Sequence, residues 1–106
     1  MTREAALEAL DKYRQQIDAI DLGILALLNQ RAGIAEQIGH VKQSAAMPIY
    51  EPKREIQVFE NVTSHNGGPL TPDAVKRVFE RIIDEMRKVQ SDRMHDDQMD
   101  TDKKPC

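Results

Sequence analysis

Residues 3–43 read REAALEALDKYRQQIDAIDLGILALLNQRAGIAEQIGHVKQ. The stretch has no Pro, and only Gly23, Gly33 and Gly39 interrupt good helix formers. Apolar residues recur at steps of three and four: Leu10, Ile17, Ile20, Ile24, Leu27, Leu28, Ile34, Ile38, Val41. The spacing predicts one helix of about 40 residues, hence about 60 Å at 1.5 Å per residue. A compact domain of this chain's length has a radius of gyration of only about 13 Å. Its own chain cannot cover such a helix along its whole length, so a second copy is expected to do so.

Working outward, Ser44 to Tyr50 reads as a loop containing Pro48. A second helix is predicted from Glu51-Pro52, with Pro at the first helical position where its missing N–H is harmless. It runs to about Ser64 and carries Val58, Phe59 and Val62 on one side. His65-Asn66-Gly67-Gly68-Pro69 is a stop signal, with Asn and Gly suited to a left-handed helix end. Thr71-Pro72-Asp73 starts a third helix, with Thr as cap and an acid in the first turn. Its stripe is Val75, Val78, Phe79, Ile82, Ile83, Met86 and Val89. The expected architecture is all-α, three helices per chain, in an intertwined helical homodimer. Residues 1–92 form the expected domain; 93–106 lack an apolar period and read as a disordered C-terminal tail.

At 106 residues the chain is a single domain. It has no Trp, two Tyr and two Phe, so the core must be aliphatic and base stacking is not expected. A net charge of −3 with mixed signs provides no basic field for nucleic acid. No apolar run is long enough to span a membrane, and Met1 leads into an amphipathic pattern without a leader. The one cysteine, Cys106, cannot close an internal disulfide or build a cysteine-based metal site. A cytoplasmic protein without a membrane or nucleic-acid partner is expected.

The apolar pattern is broken at specific places. On a wheel of about 100° per residue with Arg31 at zero, Ile20 and Ile38 fall at about −20° and Ile24 at about +20°. Arg31 therefore occupies the centre of the stripe, and Lys42 falls at about +20° on the same line. A single such cation is ordinarily a side chain snorkelling off the core edge. Two on one line, with no acid of that helix sharing it, point to a buried site, because an unpaired buried cation costs several kcal/mol. Glu55 lies on the apolar face of the second helix and Gln90 closes the stripe of the third. Two cations, one acid and one amide facing inward on three helices describe a polar pocket. Its surplus positive charge favours an anionic ligand over a self-satisfied network. Arg14 lies about 100° from the Arg31 line and cannot enter the same pocket from the same straight helix. Taken alone it is a surface Arg; in a dimer with packed long helices its face can reach the partner's pocket.

These residues resemble a family. Arg14-Gln15-Gln16-Ile17-Asp18-Ala19-Ile20-Asp21, then Leu27-Leu28-Asn29-Gln30-Arg31, then Gly39-His40-Val41-Lys42 are similar to the first helix of the AroQ-class chorismate mutases. Pro48-Ile49-Tyr50-Glu51-Pro52-Lys53-Arg54-Glu55, the Asn66-Gly67-Gly68-Pro69-Leu70 link and a third helix ending in Gln90 complete the resemblance, over about residues 8 to 91. It implies a cofactor-free intramolecular rearrangement of chorismate to prephenate, in phenylalanine and tyrosine biosynthesis. Catalysis then comes from holding the reactive conformer and from fixed charge at the ether oxygen. By the resemblance, Lys42 and Gln90 hydrogen-bond that oxygen, while Arg31, and Arg14 from the other subunit, bind the carboxylates. Glu55, with Glu51 and Arg54 at the second helix start, holds the ring hydroxyl. Met86 stands where relatives often carry a small hydroxyl residue near a carboxylate, a contact that a backbone donor or Arg87 is left to replace. Glu51 stands where Asp is usual, a poorer cap that keeps the charge.

Three rival readings exist, of which a sensor that binds a dicarboxylate without turning it over is compatible with the same residues. An isochorismate pyruvate-lyase on the same scaffold would share Arg14, Arg31, Lys42 and Gln90, but the lyase-type relatives lack an acid at Glu55. A non-catalytic helical dimerisation module requires apolar or self-paired stripe centres, which Arg31, Lys42 and Gln90 contradict. The resemblance admits one further partner, another enzyme of the shikimate pathway.

Overall fold

The computed structural model describes the backbone of residues 1–103 and the side chains of residues 1–92. Three helices follow one another: α1 (Arg3–Ser44), α2 (Pro52–Ser64) and α3 (Pro72–Lys103). No strand occurs among the described residues, so the all-α architecture holds. Contacts divide the chain into two units, Met1–Gly33 and Ile34–Cys106.

The first unit is the N-terminal part of α1. Thr2 caps it: its side-chain oxygen accepts from the Ala5 N–H at 3.1 Å, and its carbonyl from the Ala6 N–H at 3.0 Å. These bonds satisfy donors that a helix start leaves unpaired. Farther along, Gln15 donates to the Asp11 carboxylate at 2.9 Å, one turn away. The apolar stripe is uncovered in the single chain: Ile20 is 60% exposed and Leu27 66%. Arg14 is exposed and Arg31 half-buried.

The second unit contains the last turns of α1 with α2 and α3. Ala35, Val75, Ile83 and Met86 form its buried apolar core, and Val58, Phe59 and Val62 of α2 are half-buried. α1 ends in a Schellman turn: Met47 N–H donates to the Lys42 carbonyl at 2.8 Å and Ala46 N–H to the Gln43 carbonyl at 3.3 Å. Ala46 takes the left-handed position, φ 54°, that such a turn needs. α2 begins at Pro52, as its sequence requires. Thr71 caps α3 through the Ala74 N–H at 3.1 Å.

Two expectations are corrected. The stop after α2 is not a left-handed glycine turn, since neither Gly67 nor Gly68 has positive φ. Asn66 turns the chain instead: its amide donates to the Leu70 carbonyl at 2.8 Å and its oxygen accepts the Gly68 N–H at 3.3 Å. α3 also runs to Lys103, past the expected end near Ser91; neither Gly nor Pro interrupts residues 73–104. Of the tail expected to be disordered over 93–106, residues 93–103 belong to α3 by their backbone, and 104–106 lie outside the described residues.

Candidate active site

Lys42 is 6% exposed and Gln90 8%, the buried polar pair of the second unit. The Lys42 ammonium donates to the Gln90 Oε1 at 3.1 Å and to the Ile49 carbonyl at 2.9 Å. It also pairs with the Glu51 carboxylate at 2.7 Å. An ammonium has three N–H donors, so these three oxygens match its capacity. The acid missing from the Lys42 line of α1 arrives from the residue before α2. Glu51 occupies the cap position of α2 but makes no side-chain cap hydrogen bond. Its carboxylate reaches Lys42 instead.

The Lys42 bond also orients Gln90. With Oε1 accepting from the ammonium, the amide NH₂ is directed elsewhere as a neutral donor. Gly39 permits this closeness. A Cβ there would lie 3.2 Å from the Gln90 Cα and 3.4 Å from both its Cβ and its carbonyl oxygen. A side chain there would be a tight fit, so Gln90 would have to give by a few tenths of an ångström, and glycine spares it that shift.

The loop is tied to Lys42 from both ends. The Lys42 carbonyl receives the Met47 N–H, and the side chain grips the Ile49 carbonyl. Beside it lies an open groove of about 300 Å³ with Ile34, Ile38, Val41 and Met47 in its walls, and Lys42 and Glu51 as its charged lining residues.

Of the other expected site residues in this unit, Glu55 is half-buried, 3.6 Å from the Arg87 Nε. Arg54 is exposed and donates to Gln57 on its own helix at 3.5 Å. Met86 is buried in the core. The structure thus brings together Lys42, Glu51 and Gln90. Sequence reasoning did not find the Ile49 carbonyl, the Gly39 approach or the Arg87–Glu55 pair. Gly39 alone left a signal: a glycine in a helix interior sacrifices about 1 kcal/mol of propensity, which calls for a reason in packing.

The arrangement offers a buried ammonium and an oriented amide side by side, fit to stabilise negative charge on an oxygen placed between their donors. The model of the chorismate mutase type II family matches residues 13–91. A bifunctional chorismate mutase/prephenate dehydratase of Aquifex aeolicus is 40% identical over 81 residues, 73% of this chain and 22% of that protein. The chain thus spans about a fifth of the length of such bifunctional relatives. A chorismate mutase of Methanocaldococcus jannaschii is 25% identical over 87% of this chain and 94% of its own length. Among solved structures, a chorismate mutase from Helicobacter pylori in complex with prephenate superposes with a TM-score of 0.77. That match has 28% identity and covers 83% of this chain and 96% of that one.

Proposed function

The chain belongs to the chorismate mutase type II family, and from that membership we propose that it rearranges chorismate to prephenate, in phenylalanine and tyrosine biosynthesis, as a cofactor-free homodimer. The observation that carries this reading is the buried contact between Lys42 and Gln90 at 3.1 Å. In the reaction one C–O bond breaks as one C–C bond forms within a single molecule, and the ether oxygen gains negative charge. One Lys42 N–H turns from its present acceptors to that oxygen, and the Gln90 NH₂ supplies the second donor. A donor fixed in a water-poor site contributes about 2.7–4 kcal/mol to such a step.

Arg31 and Arg14 of the partner subunit bind the two carboxylates in this proposal. Glu55, with Glu51 and Arg54, holds the ring hydroxyl, and Met86 provides an apolar wall. The second copy is supported by the bare stripe of α1, from Leu10 and Ile17 through Ile24 to Ile38 and Val41, all exposed in the single chain. Large apolar side chains left exposed in this number mark an association surface. No helix among the described residues is long and apolar enough to cross a membrane, which accords with the proposed cytoplasmic site of action. In this reading residues 1–92 make up the mutase domain and 93–106 lie outside it. The name of the Aquifex relative joins the mutase to prephenate dehydratase; this supports contact with another enzyme of the same pathway, one that consumes prephenate.

The test adds purified protein to chorismate, follows the loss of ultraviolet absorbance and identifies the product. Prephenate is expected. Release of pyruvate from isochorismate, with chorismate untouched, would move the reading to the lyase, and no turnover of either would overturn it.

A further inference from the structure

Arg87 is a residue of α3 to which the reaction scheme above assigns no role. Its guanidinium carbon lies 5.6 Å from the centroid of the Tyr50 ring, within cation–π range. Its Nε is 3.6 Å from the Glu55 carboxylate, and its Nη2 donates to Asp84 one turn back on α3. Nε is buried and has no hydrogen-bond partner, so the Glu55 carboxylate is its nearest compensation, an ion pair just longer than a hydrogen bond. Arg87 therefore grips the chain on both sides of Glu51: at Tyr50, one residue before it, and at Glu55, one helical turn after it. Glu51 is the residue whose carboxylate meets Lys42 at 2.7 Å. A planar guanidinium suits this role because it can stack on a ring and offer N–H donors at its edge together, which an ammonium cannot.

We propose that Arg87 is a positioning residue for the site: it clamps Tyr50 and Glu55 to α3 and so sets segment 50–55, with both its carboxylates, against Lys42 and Gln90. The proposal rests on the mutase reading and adds to it a residue that touches no reacting atom. Asp84, one turn back on α3, ties the outer nitrogen to the same helix.

The test uses the full chain carrying Tyr13→Phe, which leaves Tyr50 as the only tyrosine in a protein without tryptophan. Near-ultraviolet circular dichroism then reports the packing of that ring, and chorismate kinetics report the site. Arg87→Ala is expected to keep its far-ultraviolet helix signal, lose most of the Tyr50 signal and lower kcat/KM by about tenfold or more. Arg87→Lys, which keeps the charge and stem but not the plane, should fall between and stands in if the alanine variant does not fold. Glu55→Gln should cost several-fold less in the Arg87→Ala background than in the parent, because the carboxylate is already misplaced. An unchanged Tyr50 signal, or losses from Arg87→Ala and Glu55→Gln that simply multiply, would overturn the proposal. A parent without mutase activity overturns the proposed function instead, and the Tyr50 signal then decides the clamp by itself.

Discussion

Lys42 and Gln90 stand 48 positions apart in sequence, yet the Nζ of one lies 3.1 Å from the Oε1 of the other. The contact is buried on both sides, and it joins α1 to α3 within the second unit. Lys42→Ala removes the ammonium and leaves the Glu51 carboxylate, the Ile49 carbonyl and the Gln90 oxygen without their shared donor. Loss of such a charged donor should lower kcat/KM by about two to three powers of ten. Far-ultraviolet circular dichroism should show the helices retained. A folded variant with parental turnover would remove Lys42 from the mechanism.

The orientation of Gln90 makes a prediction about pH. Its amide donates at every pH, whereas a carboxyl in its place donates only when protonated. Gln90→Glu should therefore work best in acid and lose activity as the introduced carboxyl ionises, with the adjacent Lys42 ammonium favouring the ionised form. The parent should stay comparatively flat over the same range. Steady-state rates from about pH 3 to 8 make the comparison, reaching well to either side of the ordinary glutamate value of about 4.3. Identical profiles would mean that the amide does not face the reacting oxygen.

Gly39→Ala tests the close approach of α1 to Gln90. The added methyl would meet the Gln90 Cα at 3.2 Å, and backbone cannot move aside as a flexible side chain can. Alanine raises helix propensity by about 1 kcal/mol, which offsets much of the clash. Thermal stability should thus change by less than about 1 kcal/mol, while displacement of Gln90 lowers kcat/KM by about tenfold. A stabilised variant with full activity would show that the two helices separate without consequence.

Ala46 holds the left-handed position of the Schellman turn at φ 54°, where an L-residue is strained by about 1–2 kcal/mol. Ala46→Gly removes that strain but adds freedom to the unfolded chain, worth about 0.5–1 kcal/mol in the other direction. The net expectation is a gain of up to about 1 kcal/mol in chemical denaturation. Activity should be kept, since the turn still carries the Met47 N–H to the Lys42 carbonyl. A loss of stability would show that the alanine methyl makes contacts outweighing the strain.

The proposed sharing of Arg14 between subunits has its own signature. Arg14→Ala and Lys42→Ala homodimers should each be nearly inactive. Co-refolded together at equal amounts, about half the dimers are mixed, and each mixed dimer has one complete site of two. Activity should return to about a quarter of the parental level. Heterodimers seen by native mass spectrometry without recovery would place Arg14 within its own chain's site or outside any site.

Helical periodicity is a local property, and what it governs was legible in the residues. The span of α1, the Pro52 start of α2 and the Thr71 cap of α3 follow from propensity and capping within a few positions of each residue. The same period showed Lys42 and Gln90 as polar groups on apolar faces, because the direction a side chain faces depends only on its place in the turn. Which group each one meets is another matter. Glu51 leaving its cap position for Lys42, the Ile49 carbonyl turned to the same ammonium, and Arg87 set between Tyr50 and Glu55 all depend on how the loop folds back and how α2 lies on α3. The turn at Asn66 was likewise settled by a side-chain hydrogen bond to Leu70 and not by the glycines. Such contacts join residues through space, with energies that compete over the whole packed unit. Tertiary structure alone could choose among the partners that the sequence made available.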